Sequence, residues 1–143
     1  MSVRCVALLL FVTAVALGGC SKSDVSRYDV SGTVTFSGQP VPSGSITFQP
    51  AVGNEGPGGY ATIKDGKYDT AQDGKGPTGG PHHVTIAGYD GNADPGNEKP
   101  YGAPLFDAYQ TKVDLPKEAT TQNFEVPASA KPRPRAVNPN QPA

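Results

Sequence analysis

The sequence predicts an all-β fold, a seven-stranded β-sandwich occupying residues 28–127. Three observations carry the prediction: apolar–polar alternation of period two, turn signals at regular intervals, and no window with amphipathic helical periodicity. Glycine and proline are abundant, 18 and 15 of 143 residues, and fall mainly between short apolar runs. Both are turn formers, glycine by admitting positive φ and proline by fixing φ at the corner.

The elements follow in order. Tyr28, Val30, Gly32, Val34 and Phe36 alternate with Asp29, Ser31, Thr33 and Thr35, so the first strand has one apolar and one polar face. Ser37-Gly38-Gln39-Pro40 reads as a turn. Ile46 and Phe48 then alternate with Ser45, Thr47 and Gln49 as far as Pro50. Ala51 to Gly59 is a glycine-rich loop, and Tyr60 to Lys64 a third strand. Asp65-Gly66 is the strongest hairpin signal, a two-residue type I′ turn pairing Lys64 with Lys67 and Ile63 with Tyr68. Asp65 and Asp69 are expected close enough to offset the two facing lysines. Asp73 to Pro81 reads as loop, His83 to Tyr89 as a strand, and Asp90 to Pro104 as a long polar connection. Tyr109 to Leu115 alternates again, and Thr121 to Val126 closes the set.

The expected core is Val30, Val34, Phe36, Val41, Ile46, Phe48, Ile63, Tyr68, Val84, Ile86, Val113, Leu115, Phe124 and Val126. With no tryptophan and no internal disulfide, stability is expected toward the low end of about 5–15 kcal/mol.

Residues 1–19 read as an export signal. Arg4 supplies a positive start, and Cys5 to Leu17 is a 13-residue apolar run. That is too short to cross a bilayer as a helix, which needs about 20 residues. Leu17, Gly18, Gly19 and Cys20 match the bacterial lipobox: a branched apolar residue, two small residues, then the cysteine that accepts diacylglycerol and acyl chains such as palmitate. Cleavage before Cys20 removes Cys5 and leaves Cys20 as the lone thiol of the mature chain, which lipidation explains. Two or three acyl chains hold a protein to a membrane far more firmly than one. Residues 20–27 are then the lipidated cysteine and a polar tether, reaching at most about 25 Å. Ser21 after the cysteine favours the outer membrane by the Gram-negative sorting rule. Residues 128–143, proline-rich and carrying Lys131, Arg133 and Arg135, are expected to be a disordered basic tail.

The run from Val30 to Pro50 (VSGTVTFSGQPVPSGSITFQP) resembles the opening of transthyretin-like, carboxypeptidase-regulatory-type domains: a V-x-G-x-V strand, a G-x-P-V turn and a strand ending F-x-P. With the lipobox, IKDGKYD from Ile63 to Asp69, Gly79-Gly80-Pro81 and Phe124 to Pro127, the chain resembles the small lipoproteins abundant in planctomycetes. The resemblance implies a transthyretin-like (immunoglobulin-like) seven-stranded β-sandwich behind a lipoprotein signal helix. It implies no particular chemistry.

Charge and motifs narrow the function classes. A net charge of -1 argues against a nucleic-acid binder. From Asp24 to Pro127 there are 7 Lys and Arg against 13 Asp and Glu, so the body carries −6. No catalytic residue and no cofactor are expected. The only imidazoles, His82 and His83, are adjacent on a strand start, point to opposite faces, and read as a partly exposed strand-edge pair. Asp90, Asn92, Asp94 and Glu98 place oxygen ligands at the alternate positions of a calcium loop, although Pro95 occupies the glycine position and Tyr101 the closing glutamate position. The competing reading is a solvated turn-rich loop. Tyr60, Tyr89 and Tyr101 lie in or beside loops. The expectation is a membrane-anchored, periplasm- or surface-facing, non-catalytic module with a structural or partner-binding role. Its partner would be an envelope protein or polysaccharide; the alternative is a calcium- or carbohydrate-binding module at the cell surface.

Overall fold

The computed structural model describes residues 25–73 and 75–132. They form an all-β body whose strands run β1 (Val30–Phe36), β2 (Gln39–Pro40), β3 (Ser43–Pro50), β4 (Gly59–Lys64), β5 (Lys67–Asp69), β6 (Gly80–Tyr89), β7 (Tyr109–Leu115), β8 (Thr120–Thr121) and β9 (Phe124–Val126). One α-helical turn, α1 (Thr70–Asp73), interrupts them. The nine strands make one sheet in the order β2-β1-β5-β4-β3-β6-β7, with β8 and β9 against the other edge of β1. All pairings are antiparallel except those of β8 and β9 with β1, which are parallel.

The sheet curls. Ring centroids of Phe48 on β3 and Phe124 on β9 lie 6.3 Å apart, although β4, β5 and β1 separate those strands along the sheet. Tyr68 on β5 completes the cluster, 6.2 Å from each of them. Curling brings one apolar face onto itself. Alternation therefore buries Val30, Val34, Ile46, Phe48, Ile63, Val84, Ile86, Leu115, Phe124 and Val126 while the intervening residues face solvent. Phe36 and Val113 are only partly buried against this core, at its margin. Ala61 and Phe106 join it unforeseen; the Phe106 ring packs against Phe36 with centroids 5.0 Å apart and planes tilted by 45°.

The Asp65-Gly66 hairpin forms as expected, with Lys64 opposite Lys67 and positive φ at both turn residues. The second expected pair does not form. Tyr68 instead lies opposite Gly32, because β5 leaves β4 after one residue pair to join β1.

Five further expectations are corrected. Ser37 to Pro40 is a turn that ends in β2, and the closing strand is two pieces, β8 and β9. The stretch read as loop from Asp73 ends earlier, since β6 starts at Gly80; α1 precedes it. The tether ends before Arg27, whose guanidinium donates to the carbonyls of Gly58 at 3.0 Å and Gly76 at 2.8 Å. The tail begins later than Ala128: Ala128–Ala130 is a 3-10 turn, Ala130 packs on the core, and its carbonyl accepts from the Asp107 amide at 3.0 Å.

Candidate functional site

A groove of about 500 Å³ crosses the solvent face of β1, β4 and β5. It runs over Ser31–Thr33 of β1, Thr62 and Lys64 of β4 and Lys67–Asp69 of β5, and Gln72, Thr121 and Asn123 also border it. Period-two alternation places the strand side chains: Ser31, Thr33, Thr62, Lys64, Lys67 and Asp69 each neighbour an inward core residue, so they face out.

Three interactions shape the groove. The Asn123 side-chain carbonyl accepts from Thr33 N at 2.9 Å and Thr33 Oγ1 at 3.0 Å, bridging the break between β8 and β9. Asp69 caps α1, one carboxylate oxygen accepting from Ala71 N at 2.9 Å and the other from Gln72 Nε2 at 3.2 Å. Thr70 Oγ1, buried beneath, accepts from Val30 N at 2.9 Å and fixes the cap against β1.

Asp69 caps the helical turn and keeps its negative charge in the groove, Asp65 stands exposed at the hairpin tip, and among the described residues neither lysine ammonium has a hydrogen bond or ion pair. Directly opposed cross-strand residues share a face, with Cβ atoms about 4.5–5.5 Å apart. The groove thus holds two adjacent, exposed positive charges and the carboxylate of Asp69.

His82 is the other notable polar group. It was expected partly exposed, yet is 1% exposed, because β6 begins two residues before it and lies between β3 and β7. Its Nδ1 is 2.8 Å from the Gly80 carbonyl, which only accepts, so Nδ1 donates. Nε2 is buried without a partner among the described residues, and the residue is part of the lining of a hollow of about 230 Å³ beside Lys112–Asp114. His83 faces solvent on the opposite side of the strand, so the two imidazoles do not pair.

The candidate calcium ligands are not assembled. One Asp90 carboxylate oxygen accepts from Asn92 N at 2.9 Å and Ala103 N at 3.0 Å, and Asp94 accepts from Asn97 Nδ2 at 2.7 Å. Among the described residues no group of three or more His, Cys, Asp or Glu is placed to hold a metal. Asn-Gly-Pro turn chemistry closes the loop on itself. Tyr89 and Tyr101 meet with ring centroids 5.7 Å apart, while Tyr60 is half exposed on β4.

Leu17, Gly18, Gly19 and Cys20 lie outside the described residues, as does the tail beyond Pro132. Among the described residues no helix is long and apolar enough to cross a membrane. No protein-family model and no curated protein matches the chain. The groove was not legible in the sequence, since its residues come from five separate segments. The one available signal was the Lys64–Lys67 pairing across the Asp-Gly turn.

Proposed function

We propose that the chain is the precursor of a lipid-anchored cell-envelope protein whose β body is a non-catalytic, partner-binding module. The observation that carries this reading is Leu17-Gly18-Gly19-Cys20 at the end of a 13-residue apolar run, with Cys20 the single cysteine left after cleavage. The early start of the folded body supports it: Arg27 is already tied down seven residues after Cys20, so the domain would sit close to the bilayer. The curled sheet is read as a transthyretin-like sandwich, supported by the Phe48–Phe124 contact between strands far apart in the sheet. The groove on its outer face supports a binding role over a purely structural one.

The test is a Cys20→Ser variant expressed in a diderm bacterium. The parent chain is expected to incorporate labelled palmitate and sediment with membranes. The variant is expected to lose both while keeping the same β-rich circular dichroism. A variant that still sediments with membranes overturns the anchored reading.

A further inference from the structure

We infer that β7 is a dimerisation edge: two copies of the chain pair their β7 strands antiparallel about a twofold axis at Val113, which sets Lys112 of each copy against Asp114 of the other. The inference goes beyond the anchored, partner-binding reading and does not rest on it.

Among the described residues β7 is the one long strand with a free edge. It pairs only with β6, whereas β2, β8 and β9 are two or three residues long. The direction of its backbone groups follows from Pro81. That carbonyl accepts from the Ala51 amide at 2.9 Å, on the β3 side of β6, and Asp114 stands opposite Pro81. Backbone groups of successive strand residues point to alternate sides, so the N–H and C=O of Asp114 point away from β6, and with them those of Lys112 and Gln110. Among the described residues these groups have no other hydrogen-bond partner. A row of unpaired backbone groups is a template for another strand.

Charge complementarity selects a second copy as the occupant. Gln110, Lys112 and Asp114 are exposed on one face of β7, and Tyr109, Thr111 and Val113 are half-buried on the other. A twofold axis makes every contact reciprocal. Centred on Lys112, lysine would face lysine; centred on Asp114, carboxylate would face carboxylate; centred on Thr111, Lys112 would face neutral Gln110. Centred on Val113, each Lys112 faces an Asp114 with Cβ atoms about 4.5–5.5 Å apart, and the like charges fall on the diagonals at about 7–8 Å. The pair across the axis is also closer than Lys112 and Asp114 within one strand, about 7 Å apart. Their neighbours on β6 are His83 and Pro81, so no acid or lysine of the same sheet competes for them there. The same register bonds the outward backbone groups of Lys112 to those of Asp114 on both sides of the axis. It also lays the two half-buried Val113 side chains against each other. A lysine in mid-edge ordinarily keeps other strands away; Asp114, two residues on, admits a second copy in this one register.

The test is disulfide trapping in the full chain in detergent micelles, with Cys5→Ser and Cys20→Ser so that one introduced cysteine is the only thiol. Two residues at the axis are about 4.5 Å apart at Cα, within reach of a disulfide, whereas the two Thr111 are about 13 Å out of register. Brief oxidation of Val113→Cys is expected to give a covalent dimer, and Thr111→Cys about tenfold less. Lys112→Asp and Asp114→Lys, each added to Val113→Cys, should lower the dimer yield about tenfold, and the two together should restore it. The same loss and recovery are expected in the monomer–dimer equilibrium by sedimentation without Val113→Cys, which keeps the test decisive if that variant does not fold. A chain that stays monomeric overturns the inference, as do an equal yield from Thr111→Cys, single swaps without effect, or a double swap that restores nothing. Every variant lacks Cys20, so any of these failures leaves the Cys20→Ser membrane result standing on its own, and a wrong interface and a wrong anchor are told apart.

Discussion

The Tyr68 hydroxyl on β5 donates to the Gln122 carbonyl at 2.6 Å, reaching across β1 to the break between β8 and β9. Gly32 makes the reach available. It lies opposite Tyr68 on β1, and a Cβ there would collide with the Gln122 carbonyl. One phenol thus ties three adjacent strands together at the point where the parallel edge changes from β8 to β9.

Removing the phenol oxygen should cost about 1 kcal/mol, the usual net worth of such a bond, read from the denaturant midpoint of Tyr68→Phe. Gly32→Ala should cost more, since the edge must move to admit the methyl. Burial also holds the Tyr68 phenol well above its ordinary value. Between about pH 10 and that raised value the unfolded chain releases the proton while the folded chain keeps it. The stability tied to the neutral phenol is therefore complete below about pH 10 and declines as pH climbs. Tyr68→Phe should flatten the alkaline fall in stability; an unchanged slope above pH 10 would show that Tyr68 does not govern it.

Strand identity was legible because alternation is local: Val30 to Phe36 and Ile46 with Phe48 show their faces within a few residues. The Asp65-Gly66 turn was legible because its chemistry is confined to two residues. What escaped depends on residues distant in sequence. Phe106 follows a long polar connection with no periodicity, yet Phe36 awaits it 5.0 Å away. His82 reads as a strand start only if β6 is assumed to begin at His83 rather than Gly80. Asp69 could serve the lysines or α1, and a helical turn of four residues is too short to show in a periodicity window. The pairing of β8 and β9 with β1 is parallel and joins opposite ends of the domain, so no turn signal marks it.

Arg27 reads as part of a charged tether, but its guanidinium joins the carbonyls of two glycine-rich loops, at Gly58 and Gly76. Its neighbour Tyr28 extends this with a hydrogen bond from its backbone amide to the Pro77 carbonyl at 2.9 Å. Arg27→Ala should lower stability by about 1 kcal/mol, at the modest end for a charged donor because one of the two bonds is exposed. It should also speed hydrogen exchange at the Tyr28 and Thr78 amides, leaving β3 and β6 protected. Unchanged exchange at both amides would mean that the body begins after Arg27.

The loop from Asp90 to Ala103 closes on one carboxylate. Hydrogen bonds from the Asn92 amide, and then from the Asn92 side chain, the Ala103 amide and the charge of Lys99, hold the Asp90 carboxyl below the ordinary carboxylate range. A depressed value means that the closure is intact above about pH 3.9 and is lost only as pH falls through the lowered folded value. Gly102, at φ +92°, occupies the space next to that carboxylate, where a Cβ would strike the accepting oxygen. In an NMR titration the Asn92 and Ala103 amides should therefore stay in place through the ordinary range of aspartate and shift together at lower pH. Asp90→Ala and Gly102→Ala should each release both amides at neutral pH. Amides that shift separately, or at the ordinary aspartate value, would show that the two bonds do not share one oxygen.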